Sequence, residues 1–525
     1  MGNKGTAFGA EERRRLGLEG LLPARVESLA EQAARVLANV RSKASPLDKY
    51  QYVREVQDEN ETVFFRVLVD NLQELLPVVY TPAVGDACLQ WSRIFVRPRG
   101  IYLSLEHRGR IAQVLRNRRP EVRMIVVTDG GRILGLGDLG ANGMGIPIGK
   151  LTLYTACAGI APEHCLPITL DVGTDNGSVR EDPLYLGTRS ARVAGEAWDT
   201  FVEEFVAATQ SVFPGAVLQF EDFNNAAAFR LIKRYRERLC CFNDDVQGTG
   251  AMGLAALYAA GRLTGKKLAG QRVLFTGAGE ACLGIGMTVL AALRSEGLSP
   301  SEAKERILFV DSRGLVVASR ADLSPHKRAF AQERAPSADL AAIVESFRPT
   351  VLIGACGKGG LFTRPVLEAM ARLNERPVVL ALSNPTVNAE CTAEQAYAWT
   401  AGRAVFAAGS PFPAVERAGK KLFPGQANNS YIFPGVGLGL LVSRSRLATD
   451  EMFFAAAQAL AGTVSEADLA AGRIFPAASR MREVAARVAA TVAAVAYEQG
   501  HAAAPRPADL EREMAKAMYQ PEYVA

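Results

Sequence analysis

Histidine is scarce in this chain: four in 525 residues, none paired at i, i+4, so a histidine-rich zinc centre is excluded. Eight cysteines are scattered. Cys240 and Cys241 are adjacent but no CxxC pair occurs, which argues against a disulfide framework and for a reducing cytoplasm. Charge of one sign is also lacking. Sixty basic and 55 acidic residues leave a formal +5, and no basic run is interleaved with aromatics, so a nucleic-acid partner is not expected. No apolar run reaches transmembrane length, and the start, MGNKGTAF, has no apolar stretch of the signal-peptide kind. It matches an acylation pattern through Gly2 and Thr6. So short a pattern is read as chance, and one acyl chain anchors only marginally.

What is present is an ordinary soluble composition, 49% hydrophobic and 22% charged, in a chain long enough for at least two domains. Residues 11 to about 97 read as helical. The stretch 25–43 has apolar positions at helical spacing and stops at Ser45-Pro46; 48–76 continues in that style until Pro77. The segment 78–88 reads as short and extended, breaking at Thr81-Pro82. Beyond residue 98 the pattern changes to strands ending in small or polar residues. The first is 122-VRMIVVTDG-130; a glycine-rich loop follows, then a helix opened by Lys150. Further strands lie at 166–176 and 216–225. A second α/β unit begins near Lys266: 272–286 reads as a strand, a tight turn and a helix start, and four more strands lie at 306–314, 350–360, 377–386 and 404–412. Helical patterns between the strands predict parallel sheets, whose ligands bind beyond the strand carboxyl ends.

At those strand ends stand the residues with chemical potential. Gly277-Ala278-Gly279 lies between a strand and a helix, as a dinucleotide turn requires, although Cys282 occupies the third position where glycine or alanine is usual. At the next strand end, Asp311 suits a ribose 2′-hydroxyl, while Ser312 and Arg313 suit a 2′-phosphate. The site therefore leaves NAD and NADP both open, with a tilt toward NADP. Two acidic pairs, Glu221-Asp222 and Asp244-Asp245, end neighbouring strands. Carboxylate ligation suits Mg²⁺ or Mn²⁺; the competing reading is that these acids cap the helices that follow. Burial favours the neutral form of a lysine, which makes Lys150 a candidate base. Arg132 can grip a carboxylate bidentately, and Tyr80 can act as an acid.

With those residues in view, the chain resembles a malic enzyme of the long form. The resemblance is carried by 79-VYTPAVG-85, 127-VTDGGRILGLGDLGANGMGIPIGKLTLYTACAGI-160, 166-LPITLDVGTDN-176, 219-QFEDF-223, 242-FNDDVQGT-249, 276-TGAGEACLGIG-286, 381-ALSNPT-386 and 430-SYIFPGV-436. It spans about residue 16 to 500. It implies Tyr80 as general acid, Lys150 as general base and Asp244 as the acid accompanying that lysine. Glu221, Asp222 and Asp245 match the metal ligands, and Arg132, Asn384 and Asn428 the substrate contacts. The implied cofactor contacts are Asn225, Gly277, Gly279, Glu280, Ala281, Asp311, Ser312, Arg313 and Asn384, with Lys327 at the 2′-phosphate. Departures from the family pattern are Ala427 in place of a glycine, a shortened loop 410–429 and an unusual charge at Lys358. Glu59 stands where fumarate-responsive relatives place an arginine, so fumarate activation is not expected.

The resemblance implies a helical N-terminal domain that mediates dimerisation (1–97), a discontinuous central α/β catalytic domain with a parallel sheet (98–243 and 429–500), a Rossmann-type NAD(P)-binding domain (244–428) and a C-terminal tail (501–525). It further implies a homo-oligomer, dimer or tetramer, in the cytoplasm, without a nucleic-acid or membrane partner. The implied reaction is oxidative decarboxylation of (S)-malate to pyruvate and CO₂ with NADP⁺ and Mg²⁺ or Mn²⁺, accompanied by oxaloacetate decarboxylation. Malolactic turnover with retained NAD and a catalytically silent nucleotide sensor are the alternatives.

Overall fold

The computed structural model describes residues 2–118 and 121–523. The chain divides into two compact units. One comprises Met1–Phe223, Ala478–Arg482 and Arg512–Ala525; the other comprises Asn224–Ala477 and Glu483–Glu511.

The first unit opens with helices Leu29–Ser42, Pro46–Glu59, Glu61–Asp70, Leu72–Val79 and Ala83–Leu89. The pair Ser45-Pro46 not only ends a helical stretch but starts the next helix: Ser45 Oγ accepts from Asp48 N at 3.1 Å and Pro46 takes the first helical position. The run expected to continue to Pro77 is cut earlier, at Asn60 and Asn71, and passes through Pro77 to Val79. Asn60 interrupts it because its side chain takes the Val63 amide at 3.0 Å, satisfying a helix-start donor.

The segment 78–88 is not extended. It is the end of one helix and the whole of another, joined at Tyr80-Thr81-Pro82. Val79, Ala83, Val84, Ala87 and Cys88 fall at helical spacing and are all essentially inaccessible. Burying that face decides the local structure; Pro82 fixes its own φ and restricts Thr81, and neither prevents the helix that starts at Ala83.

Four parallel strands follow: β1 (Ile101–Ser104), β2 (Met124–Thr128), β3 (Cys165–Asp171) and β4 (Val217–Phe220), with β3 between β1 and β2, and β2 beside β4. β2 and β4 are buried at every residue, which is why they read as continuous runs without alternation. Helix Gly145–Ala158 packs on β2 and β3 and is buried along its whole length. Such a helix is apolar on all sides, and Lys150, on its second turn, is its one charged side chain. The C-terminal residues return to this unit: Tyr519 N donates to Gly159 O at 2.6 Å and the Tyr523 hydroxyl to Gln32 Oε1 at 2.6 Å.

In the second unit a short β5 (Cys241–Asn243) leads into a widened helical turn, Asp244–Gly248, and helix Thr249–Thr264. Then come β6 (Val273–Thr276), β7 (Ile307–Asp311), β8 (Gly314–Leu315), β9 (Val351–Gly354), β10 (Val378–Ala381), β11 (Val405–Ala408), an exposed hairpin of β12 (Val415–Arg417) and β13 (Lys420–Leu422), and β14 (Gly425–Gln426). The sheet order is β14-β11-β10-β9-β6-β7-β8. All pairs are parallel except β7–β8. Chain order reverses direction between β6 and β9. This is the switch point of a doubly wound sheet, and the loops after those two strands form its crevice.

Gly277, with φ +117°, makes the turn out of β6. Cys282, where glycine or alanine is usual, is fully buried, and the close approach of this helix to a neighbouring backbone is made two residues on, at Gly284. A methyl group there would stand 2.7 Å from the Val246 carbonyl oxygen in the turn carrying Asp244 and Asp245. Gly284→Ala should therefore lower unfolding stability by about 1–3 kcal/mol through overpacking, read as a fall in the thermal or denaturant midpoint. An unchanged midpoint would show that the helix can back away without cost.

Candidate active site

Within the first unit the centre of the site is Lys150. Its Nζ lies 2.8 Å from Glu221 Oε1, with both side chains at most 4% exposed. Glu221 follows β4, its amide bonded to Val127 O at 2.9 Å. Its other oxygen accepts from Gln219 Nε2 at 2.6 Å, and Gln219 accepts in turn from the Tyr154 hydroxyl, on the same helix as Lys150. The ammonium also stands over the Tyr80 ring, 5.6 Å from its centre. Gly149 lets that ring lie against the helix, since a methyl group at 149 would stand 3.0 Å from Tyr80 Cδ2. Base and acid candidates, 70 residues apart in sequence, are thereby neighbours.

Asp222 adopts the left-handed conformation, φ +53°. Its carbonyl accepts from Arg132 N at 3.1 Å and its Oδ1 from Leu134 N at 3.4 Å. The loop bearing the exposed Arg132 therefore also holds Asp222. Arg54, which no motif marked, lies beneath: its guanidinium donates to Thr152 Oγ1 at 3.0 Å on the Lys150 helix and to Val79 O at 3.2 Å, just before Tyr80.

In the second unit Asp244 is fully buried and Asp245 partly exposed. Asn429 Nδ2 donates to Asp244 Oδ2 at 3.0 Å and to Thr249 Oγ1 at 2.8 Å. Asn428 Oδ1 accepts from Ser430 N at 2.9 Å and so caps its own turn. Of this adjacent pair, the sequence reading singled out Asn428 and missed the bond that Asn429 makes.

Helix capping does not account for the acids. The turn at Asp244 is capped by Asn243, which takes Val246 N at 3.1 Å. The helix Asn225–Tyr235 is capped by Asn224, which takes Ala227 N at 3.1 Å. Asn225 begins that helix, and its side chain lies outside the described residues.

The dinucleotide turn comprises Gly277, Ala278 and Gly279, with Glu280, buried, and Ala281 opening helix Glu280–Ser295. Asp311 ends β7, and Ser312-Arg313 form the two-residue turn into β8. Asp311 is enclosed by cations: Arg320 reaches its two oxygens at 2.8 and 3.1 Å, and Lys327 Nζ reaches one at 2.7 Å. Arg313, 71% exposed, pairs with Asp322 at 3.0 Å. Burial alone would raise the Asp311 carboxyl, but the bonds from Arg320 and Lys327 hold it down at about 2. Arg320 was not marked in the sequence; it sits nine residues from Asp311 with no motif around it.

Between the loops after β9 and β10 lies a fully buried acid, Glu390. It accepts from Cys356 N at 3.4 Å, from Ser383 N at 3.3 Å and from the Ser383 hydroxyl. Burial pushes its carboxyl up. Next to Ser383, Asn384 Oδ1 accepts from Ser410 Oγ at 2.6 Å, which leaves its amide nitrogen as the donating end. Lys358 is exposed on the loop after β9.

Two family descriptions match the chain: "Malic enzyme, N-terminal domain" over residues 57–236 and "Malic enzyme, NAD binding domain" over residues 246–497. The NADP-dependent malic enzyme of Rattus norvegicus is 48% identical over 526 residues, covering 99% of this chain and 92% of that protein. NADP-dependent malic enzyme 3 of Arabidopsis thaliana is also 48% identical, covering 99% and 90%. Among solved structures, the malic enzyme of Entamoeba histolytica matches with a TM-score of 0.61 at 22% identity, over 96% of this chain and 90% of that one, a likeness of fold.

The Asp311 cluster generates a pH prediction. A carboxyl depressed in the folded state stabilises it above the unfolded pKa, about 3.9, and loses that contribution as pH falls toward about 2. In Arg320→Gln the Asp311 titration should move back up toward ordinary carboxylate values, and the variant should be less stable than the parent above about pH 4, with the difference shrinking as pH falls toward about 2. NMR titration of the Asp311 carboxyl carbon checks this, and an unmoved titration would count against the cluster.

Proposed function

The chain belongs to the malic enzyme family, and on that premise we propose that it oxidatively decarboxylates (S)-malate to pyruvate and CO₂ with NADP⁺, aided by Mg²⁺ or Mn²⁺. The observation that carries the reading is the buried Lys150–Glu221 pair with the Tyr80 ring against the ammonium. Burial, a charge partner and an adjacent acid together are how a site prepares proton transfers in both directions.

The residues divide the work. Arg132 grips the C1 carboxylate of malate, which fixes C4 as the carboxylate free to leave. Lys150 accepts the proton of the C2 hydroxyl, and Tyr80 returns a proton to C3 once CO₂ has left. Asn384, with its oxygen committed to Ser410, offers its amide to a substrate carboxylate. We assign the cation to Glu221, Asp222 and Asp245. Their all-carboxylate donor set fits a hard divalent ion, and such an ion supplies Lewis-acid stabilisation of negative charge at the C2 oxygen. Asp244, buried and bonded to Asn429, acts with Lys150 in relaying its proton, and Asn428 serves malate.

When bound, NADP⁺ would supply the hydride acceptor, and Asp311 supports a preference for it over NAD⁺. A ribose 2′-hydroxyl needs a free carboxylate oxygen, whereas both Asp311 oxygens receive cationic donors. Three cations, Arg313, Arg320 and Lys327, face two acids there and suit a phosphate. Ser312 completes that subsite. The N-terminal helices as a dimerisation surface, a dimeric or tetrameric assembly and a cytoplasmic location belong to the same proposal.

Initial rates with malate and Mn²⁺ should be higher with NADP⁺ than with NAD⁺, with reduced cofactor accumulating as pyruvate forms. Lactate without net reduced cofactor would instead mark malolactic turnover. Asp245→Ala should remove metal-dependent turnover while leaving NADP⁺ affinity within about threefold; activity that survives without a divalent ion would overturn the ligand assignment.

A further inference from the structure

The loop from Asp129 to Asp138 presents Arg132 and supplies the amides that hold Asp222, yet it is glycine-rich, and a chain of that composition does not hold one shape unaided. Its form comes from a side chain more than fifty residues away. The guanidinium of Arg192, 8% exposed, takes both oxygens of Asp138, through Nε at 2.9 Å and Nη2 at 2.6 Å. The same Nη2 donates to Asp129 O at 3.0 Å, and Nη1 stands 3.1 Å from Asp129 Oδ2. One planar cation thus joins the first and last residues of the loop.

The two acids are held from other sides as well. Asp129 accepts from Gly131 N at 2.9 Å and from Trp198 Nε1 at 3.2 Å. Asp138 accepts from Gly140 N at 3.0 Å and Asp175 N at 2.8 Å. Across the loop, Leu139 N bonds Gly130 O at 3.0 Å and Ile133 N bonds Gly137 O at 2.8 Å. Between these fastenings the backbone has one course, and on it lie the Arg132 and Leu134 amides that meet Asp222.

We propose that Arg192 is a positioning residue for the malate and cation sites together: by bridging Asp129 to Asp138 it fixes the loop that aims Arg132 at substrate and Asp222 at the ion. The inference rests on the reading that Arg132 and Asp222 serve those two ligands. Lysine is no substitute, because a single ammonium cannot span two acids and a carbonyl with a fixed fork. A residue acting on this loop alone changes malate and cation binding in step and leaves the dinucleotide untouched. A residue that merely stabilises the fold has no such selectivity.

The test uses the full chain carrying Arg192→Lys, with Asp138→Asn as the milder second variant should the first not fold. Four quantities are measured: malate KM against kcat, the Mn²⁺ dissociation constant without substrate from the free-ion EPR signal, the NADP⁺ dissociation constant, and the melting temperature. The malate KM and the Mn²⁺ constant should each rise about tenfold or more, as is usual when the support of a ligand shell is removed, with NADP⁺ binding within about twofold and kcat falling less than kcat/KM. Unchanged malate and Mn²⁺ constants in a folded variant, or an NADP⁺ constant rising in step with them, would overturn the proposal. Arg132→Ala and Asp222→Asn separate the two levels. If these leave malate KM and Mn²⁺ binding intact, the assignment of the site itself fails; if they lose binding while Arg192→Lys and Asp138→Asn keep it, only the clamp fails.

Discussion

A lysine and a glutamate, both inaccessible and 2.8 Å apart, are the contact around which the first unit is arranged. Two ions removed from water are tolerated only when geometry and surrounding hydrogen bonds are good, and deleting one partner of such a pair costs about 3–5 kcal/mol. The chain meets that demand with polar side chains placed in otherwise apolar elements. Gln219 points from β4 to the second oxygen of Glu221, and Tyr154, one turn beyond Lys150, returns the bond to the helix. Strand and helix are thus fixed in register by the same groups that hold the charge. Tyr80 reaches the ammonium because the helix before it ends at Val79, where Arg54 holds the last carbonyl.

The second unit answers a similar demand at its own strand end. A carboxylate at the tip of β7 is almost wholly enclosed, and three donors meet it: Arg320, Lys327 and the Arg313 amide. The consequence is chemical as well as structural, since an acid whose oxygens are committed cannot bind a ribose hydroxyl while its cationic escort suits a phosphate. Glu390 performs a related service at the crevice. It is buried between the loops after β9 and β10 and ties their amides, which settles the backbone beside Asn384.

Much of this was legible beforehand. The eight apolar runs that end in small or polar residues all form strands, because strands buried on both faces need no alternation and leave an uninterrupted signal. The glycine turn at Gly277 was legible because a positive φ there requires that residue. Legibility was poorer where local signals compete. Ser45-Pro46 is a start as well as a stop, the asparagines at 60 and 71 outrank Pro77 as breakers, and the segment after Tyr80 is helical because its apolar face is buried, a fact the dipeptide Thr81-Pro82 does not disclose.

The sequence by itself marked the strands buried on both faces, the α/β character of the second unit and the candidate reactive side chains, since each signal lies in residues close together along the chain. Only the tertiary structure decided who meets whom. Lys150 finds Glu221 rather than solvent, Asp311 is neutralised by Arg320 and Lys327, Asn243 and Asn224 relieve the acids of capping, and Arg192 closes a loop that starts sixty-three residues before it. The physical reason is range: propensity and capping act over a few residues, whereas charge compensation in a buried site is set by distances that chain folding alone creates.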